Sequence, residues 1–182
     1  MRRLILATFA ALFLLSMATV ADARPLFGDG SWIVGDDINP GTYRTRIAVE
    51  GCYWERLSGF SGNLSDVIAN DFTSAPAVIT IGASDAGFTS SGCGDWTTDL
   101  SAITDNPTSP FSDGTYIVGV DIAPGTWRAS SGDGCYWARL SGFSGTLSSV
   151  TANAFGTSTI VTISAGDRGF SSSSCGTWSK IR

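Results

Sequence analysis

The chain contains two copies of one unit, and this duplication limits the fold more than any other sequence feature. The segment "DGSWIVGDDINPGTYR" from Asp29 recurs as "DGTYIVGVDIAPGTWR" from Asp113. The segment "GCYWERLSGFSG" from Gly51 recurs as "GCYWARLSGFSG" from Gly134. Because a sequence repeat corresponds to a repeated structural unit, the duplication predicts two similar small domains rather than one large core.

The start of the chain has the pattern of a secretion signal. Arg2 and Arg3 precede an apolar run, and small residues at Ala21 and Ala23 fit a cleavage site after Ala23. The alternative is a retained membrane anchor, since the run is close to the shortest length that spans a bilayer. We predict four segments: a signal peptide 1–23, a first unit 24–96, a linker 97–112 and a second unit 113–182.

Each unit has the pattern of short β-strands. The segments "SWIVG", "YRTRIAV", "CYWERL" and "AVITIG" are rich in β-branched and aromatic residues, and Gly, Ser, Asn, Asp and Pro separate them. "NPGT" at Asn39 and "APGT" at Ala123 predict type II turns, whereas "LSDVIAND" at Leu64 predicts a helical turn. The sequence therefore predicts an all-β protein made of two tandem β-sandwich or jelly-roll-like units.

Four cysteines and the small size of each unit indicate disulfide cross-links. Exported chains meet oxidising conditions, and domains of this size have little core to stabilise them. Four cysteines allow three pairings. The repeat favours Cys52–Cys93 and Cys135–Cys175, because each unit is then closed on itself.

The composition excludes several kinds of chemistry. The chain has no His, so it cannot form a Ser-His-Asp or Cys-His site. Ser61 and Ser144 lie in "GFSG", which lacks the G-x-S-x-G spacing of a nucleophile elbow. The net charge is −5 without a basic cluster, so nucleic acid and anionic membrane surfaces are not expected partners. We expect a protein without catalytic residues, without a cofactor and without stable membrane insertion after signal cleavage.

Acidic residues leave two alternatives open. Glu55 with Asp66 or Asp71 would supply the two carboxylates of a glycan hydrolase. Calcium ligands at Asp36, Asp37 or Asp133 are a second alternative, but no known loop spacing supports them. Surface and turn positions explain these acids equally well, and the second copy has Ala138, Ser149 and Ala154 at the three hydrolase positions.

Charged and aromatic residues that are present in both copies are the candidate binding residues. Arg56 and Arg139 lie in the aromatic strand, where Arg can stack on a ring or pair with a carboxylate. Tyr53 and Trp54 are neighbours on this strand and should face opposite sides of the sheet. We predict a ligand site formed by Tyr53, Trp54, Arg56, Tyr136, Trp137 and Arg139, with a structural salt bridge of each Arg as the alternative.

These motifs resemble a group of small exported proteins and lipoproteins of actinobacteria. The shared pattern is "G-x-DI-x-PGTY/W", "CYW-x-RL", "IAND" and "GF-x-SSGCG-x-W", and it covers both copies. The second copy departs from it with "TANAF" and "SSSSCG". The resemblance implies export and a duplicated β unit, and it implies no site residue.

We therefore expect a secreted or envelope-associated binding module that is not an enzyme. Its expected partner is a cell-wall polysaccharide or an extracellular protein. Two similar sites on one chain favour a repetitive target, because bivalent binding raises the overall affinity. The alternative is the secreted glycan hydrolase that uses the acids of the first copy.

Overall fold

The computed structural model describes residues 26–47, 51–73, 76–157 and 159–182. The expected signal peptide lies outside these residues. The strands of the first unit are β1 (Gly30–Ile33), β2 (Gly41–Thr45), β3 (Cys52–Leu57), β4 (Val67–Thr73), β5 (Val78–Ile81), β6 (Gly87–Ser91) and β7 (Trp96–Thr97). Those of the second unit are β8 (Gly114–Ile117), β9 (Gly125–Ala129), β10 (Tyr136–Leu140), β11 (Val150–Phe155), β12 (Ile160–Ile163), β13 (Gly169–Ser173) and β14 (Trp178–Lys180).

Each unit is a sandwich of two antiparallel sheets, as the repeat pattern predicts. The four-stranded sheets have the orders β1-β6-β3-β4 and β11-β10-β13-β8. The three-stranded sheets have the orders β5-β2-β7 and β12-β9-β14. Only the β3–β4 and β10–β11 connections stay within one sheet, so the chain repeatedly crosses between layers and each core contains side chains from both sheets.

One local prediction is confirmed only for its first three residues, and another is wrong. "LSDVIAND" forms a single 3₁₀ turn (Leu64–Asp66), and the rest is strand β4, which pairs with β3. Pairing with an aromatic strand outweighs the low strand propensity of Asn and Asp in β4. The "NPGT" segment is not a type II turn, because Gly41 already pairs with Ile81 in β2 and lacks a positive φ. The chain reverses earlier, at Gly35, whose φ of 95° favours glycine.

The cysteines pair within each unit, as predicted. Cys52 is bonded to Cys93 and Cys135 to Cys175, and all four are buried in the two cores. Each disulfide joins the start of the aromatic strand to the loop that precedes the last strand. Closing loops of this length restricts the unfolded chain and contributes about 4 kcal/mol to a unit.

A Phe at the start of each unit completes the core. Phe27 and Phe111 each pack against several rings of their own unit. Phe111 comes from the predicted linker, which therefore contributes to the second core. The preceding linker residues run along both units and bond to each of them.

A buried ion pair joins the two units. Both Nη atoms of Arg44 donate to the carboxylate of Asp121, at 3.2 and 3.1 Å, and both side chains are completely buried. The linker adds to the same site, because Arg44 also donates to the Ser101 carbonyl and Ile103 N–H donates to Asp121. The pair is thus enclosed by both units and by the chain between them.

The contact between the units is not symmetric. The repeat makes Arg128 the counterpart of Arg44 and Asp37 the counterpart of Asp121, yet both counterparts are exposed. The outward face of β5 shows the same difference, because Val78 is 5% exposed and its counterpart Ile160 is 47% exposed. The first unit uses its three-stranded sheet and the second uses a different surface, which defines a heterologous interface.

We predict that Asp121→Ala lowers the free energy of unfolding by about 3–5 kcal/mol, because it leaves the buried Arg44 guanidinium without its counter-charge. Asp37→Ala is the matched control, since Asp37 accepts a hydrogen bond from Ile33 N–H as Asp121 does from Ile117 N–H. Denaturant unfolding should show a loss of at most about 1 kcal/mol for the control. Equal losses would contradict a dominant role for the ion pair.

Candidate functional site

The aromatic strands place their neighbouring rings on opposite faces, as predicted. Trp54 points into the first core and is buried, whereas Tyr53 is partly exposed on the outer face of the four-stranded sheet. Trp137 and Tyr136 repeat this arrangement in the second unit. Only the two tyrosines of these four rings therefore have a face that a ligand could reach.

Arg56 has a structural role in this fold. Its Nε and Nη2 donate to the two carboxylate oxygens of Asp85, both at 2.7 Å, and its Nη1 donates to the Ser144 carbonyl of the second unit at 2.6 Å. Asp85 also accepts the Gly82 N–H and so fixes the turn after β5. The prediction of a ligand held by Arg56 beside Trp54 is corrected by this geometry, because both side chains are buried and each guanidinium nitrogen is bonded.

Arg139 makes the equivalent ion pair with Asp167, at 2.7 and 3.1 Å. Hydrogen bonding to Asp167 raises the pKa of the guanidinium above its usual value. Its side chain is 28% exposed, and Nη1 has no hydrogen-bond partner among the residues that the structure describes. Arg139 thus anchors a loop as Arg56 does, but keeps one donor available.

An exposed aromatic pair lies on the outer face of each unit. Strand register places Phe72 opposite Tyr53 and Phe155 opposite Tyr136, so the two rings of each pair share a face. Phe72 is 68% exposed and Phe155 is 77% exposed. The sequence shows a Phe at this position in both copies. Its exposure follows from strands β4 and β11, which were not predicted.

The surroundings of the two aromatic pairs differ. The Tyr53 hydroxyl donates to Glu55 at 2.8 Å and accepts from Asn70 at 3.4 Å. Partial burial, followed by the hydrogen bond to Glu55, raises the pKa of Tyr53. The second unit has Ala138 in place of Glu55. The first aromatic pair is therefore the more polar and more acidic of the two.

The acids proposed for a hydrolase do not form a matched pair. Register places Glu55 opposite Asn70 and Asp71 opposite Trp54, so Glu55 and Asp71 point to opposite faces of the sheet. Partial removal of its carboxylate from water raises the pKa of Asp71, and the hydrogen bond from Phe72 N–H lowers it by less.

Asp66 lines the same open groove as Glu55, but its Oδ2 accepts both the N–H and the hydroxyl of Ser61. It therefore caps the loop of the "GFSG" motif. Within 26–47, 51–73, 76–157 and 159–182, no group of three or more acidic or cysteine side chains is placed to hold a metal ion. In the same part of the chain no helix has the length and apolar character needed to cross a membrane.

The fold defines a duplicated all-β module with one disulfide in each unit. Residues 24–97 and 108–179 both match the family described as Rv1352-like extracellular domain, and the chain belongs to that family. This confirms an extracellular protein built from a repeated domain, while an actinobacterial origin stays a prediction. No curated protein and no solved structure gives a significant match.

We predict that Arg56→Ala destabilises the protein more than Arg139→Ala does. Loss of Arg56 leaves Asp85 buried without a counter-charge and removes the bond to Ser144, which should cost about 3–5 kcal/mol. Arg139→Ala should cost about 1–3 kcal/mol, because that pair is more exposed and forms no hydrogen bond to the first unit within the described residues. Denaturant unfolding of both variants is the measurement, and the reverse order would contradict the assignment.

Proposed function

We propose that the protein is a non-catalytic extracellular binding module that holds a polysaccharide through the two aromatic pairs, Tyr53–Phe72 and Tyr136–Phe155. The observation that carries the proposal is the strong exposure of Phe72 and Phe155 at equivalent positions of both copies. A large exposed ring contributes nothing to the core, so its presence at the same place in two units favours a role in recognition.

The residues around the rings suit a sugar ligand. Tyr53 lies between Phe72 and Ser91 across the sheet, and the next cross-strand row holds Asn70, Glu55 and Thr89. An apolar ring beside hydroxyl, amide and carboxylate groups can contact both the C–H face and the hydroxyl groups of a pyranose. The second unit presents Ser173, Asn153 and Ser171 at the corresponding positions, and its Tyr136 and Ser171 line the cleft between the units.

Two similar sites on one chain fit a repetitive polymer. The units are fixed relative to each other by the Arg44–Asp121 pair, so the two aromatic pairs keep a constant separation. A polymer that reaches both sites gains a second binding step at a high effective concentration. The expected target is therefore a cell-wall polysaccharide rather than a single free sugar.

We predict that Phe72→Ser with Phe155→Ser reduces retention on isolated cell-wall polysaccharide by at least about tenfold, since aromatic anchors of this kind each contribute 1–2 kcal/mol or more. Each single change should have a smaller effect, because one site remains. Pull-down followed by quantitative blotting measures retention, and a glycan array identifies the sugar. Unfolding midpoints should stay unchanged, because both side chains are exposed.

Leu64→Ser with Leu147→Ser is the matched control, since both leucines are exposed at equivalent positions but lie outside the aromatic pairs. Equal loss in the control, or no retention of the unchanged protein on any wall polymer or array glycan, would contradict the proposal. Release of soluble sugar during incubation, abolished by Glu55→Gln, would instead support the hydrolase alternative.

A further inference from the structure

Each unit contributes one surface to the contact between the units, and the counterpart of each surface on the other unit is exposed to solvent. The first unit is covered by the second on one face, while the counterpart face of the second unit is exposed. The surface with which the second unit makes this contact likewise has an exposed counterpart on the first unit. We propose that these two open surfaces bind each other between molecules, so that chains associate head to tail.

The basic face is the open surface of the second unit, and we define it by Arg128, Arg139, Ile160 and Thr162. Their counterparts Arg44, Arg56, Val78 and Thr80 all lie at the contact between the units. In that contact Arg44 binds Asp121, Arg56 binds the Ser144 carbonyl, and Thr80 N–H donates to the Phe143 carbonyl at 2.7 Å.

The basic face offers an equivalent hydrogen-bond donor for each of these three contacts. Arg128 is exposed, and Arg139 Nη1 has no partner in the described part of the chain. Thr162 holds the same register position on edge strand β12 as Thr80 holds on β5. An uncovered edge strand is itself a surface on which another chain can pair.

The acidic face is the open surface of the first unit, and we define it by Asp37, Glu55, Phe60 and Asp66. Glu55, Phe60 and Asp66 line an open groove of about 300 Å³. The counterparts Ala138, Phe143 and Ser149 line the cleft between the units, together with Trp54 and Val78 of the first unit. Thus the acidic face of the first unit corresponds to the surface with which the second unit contacts the first unit within the chain.

The charges of the two open faces are complementary. The acidic face carries three carboxylates. The basic face carries Arg128, with Lys180 and Arg182 on the adjoining strand end, while Asp167 balances the charge of Arg139 within the unit. The substitutions between copies also avoid a clash of like charges. Within the chain, Asp71 of the first unit faces a cleft that contains Ala138, the counterpart of Glu55. Between molecules, Glu55 would face Ala154, the counterpart of Asp71. A second copy of this chain is therefore the partner that the open faces fit.

The loop of the "GFSG" motif supplies the steric fit. Gly145 packs so closely on Trp54 that an added Cβ would lie 2.6 Å from the end of the indole. Its counterpart Gly62 has no atom within 4 Å of such a Cβ. The loop around Gly62 is consequently free to receive the corresponding edge of a second molecule.

The contact between molecules should be weaker than the one within the chain. The linker supplies the Ser101 carbonyl and Ile103 N–H to the ion pair inside the chain and holds the units at a millimolar effective concentration. Arg128 and Asp37 are more exposed, so salt screens their attraction. We therefore expect association at high protein concentration and low ionic strength, with no upper limit on the number of chains.

Sedimentation velocity of residues 24–182, from about 10 µM to about 1 mM at low salt, tests the proposal. The average mass should rise continuously with concentration, and added salt should reverse the rise. Arg128→Glu and Asp37→Arg should each weaken association at least about tenfold, because like charges then face each other. An equimolar mixture of these two variants should restore it, since positions 37 and 128 again carry opposite charges between unlike chains.

Asp105→Arg is the control, because it makes the same change of charge as Asp37→Arg at an exposed linker position. It should associate like the unchanged protein. A constant monomer mass over the whole range would overturn the proposal, as would growth that stops at a dimer or a mixture that stays monomeric. Arg128→Glu keeps the test valid if Asp37→Arg perturbs its turn, since the Arg128 side chain is exposed and forms no hydrogen bond or ion pair within the described residues.

Discussion

The arrangement of the molecule depends on the ion pair between Arg44 and Asp121. Removing two charges from water is costly, and the pair is stable only because most of the hydrogen-bonding capacity of the Asp121 carboxylate is satisfied. Asp121 accepts hydrogen bonds from Arg44, Ile117 and Ile103. One buried contact therefore ties together both units and the linker, and it determines which face of each unit is exposed to solvent.

As a result, two units of similar sequence bury different faces. In the first unit the outward face of the three-stranded sheet is interior, and in the second unit it is surface. The same motif behaves differently for the same reason, since the "GFSG" loop of the second unit packs on Trp54 whereas that of the first unit meets solvent. A duplicated chain thus presents one acidic and one basic end, together with two aromatic pairs, the second of which borders the cleft between the units.

Much of a single unit could be predicted from the sequence. The disulfides followed from the repeat, and strands β1, β2, β3 and β5 followed from their β-branched and aromatic residues. Strand β4 was missed because Ala, Asn and Asp interrupt its β-branched and aromatic residues, and β6 was missed because Gly and Ser make up three of its five residues. Pairing with β3 stabilises both strands. Of the residues predicted to bind a ligand, Tyr53 and Tyr136 are partly exposed, whereas Trp54 and Arg56 are buried.

The sequence by itself determined that the chain is duplicated, all-β, cross-linked within each unit and without the residues of a histidine-based active site. Those conclusions depend on local pattern and composition. Only the tertiary structure decided which arginine of each repeated pair is buried and which is exposed. It also decided that Phe72 and Phe155, rather than the tryptophans, are available to a ligand. The reason is that the exposure of a side chain depends on the partner packed against it, and here that partner comes from a distant part of the chain.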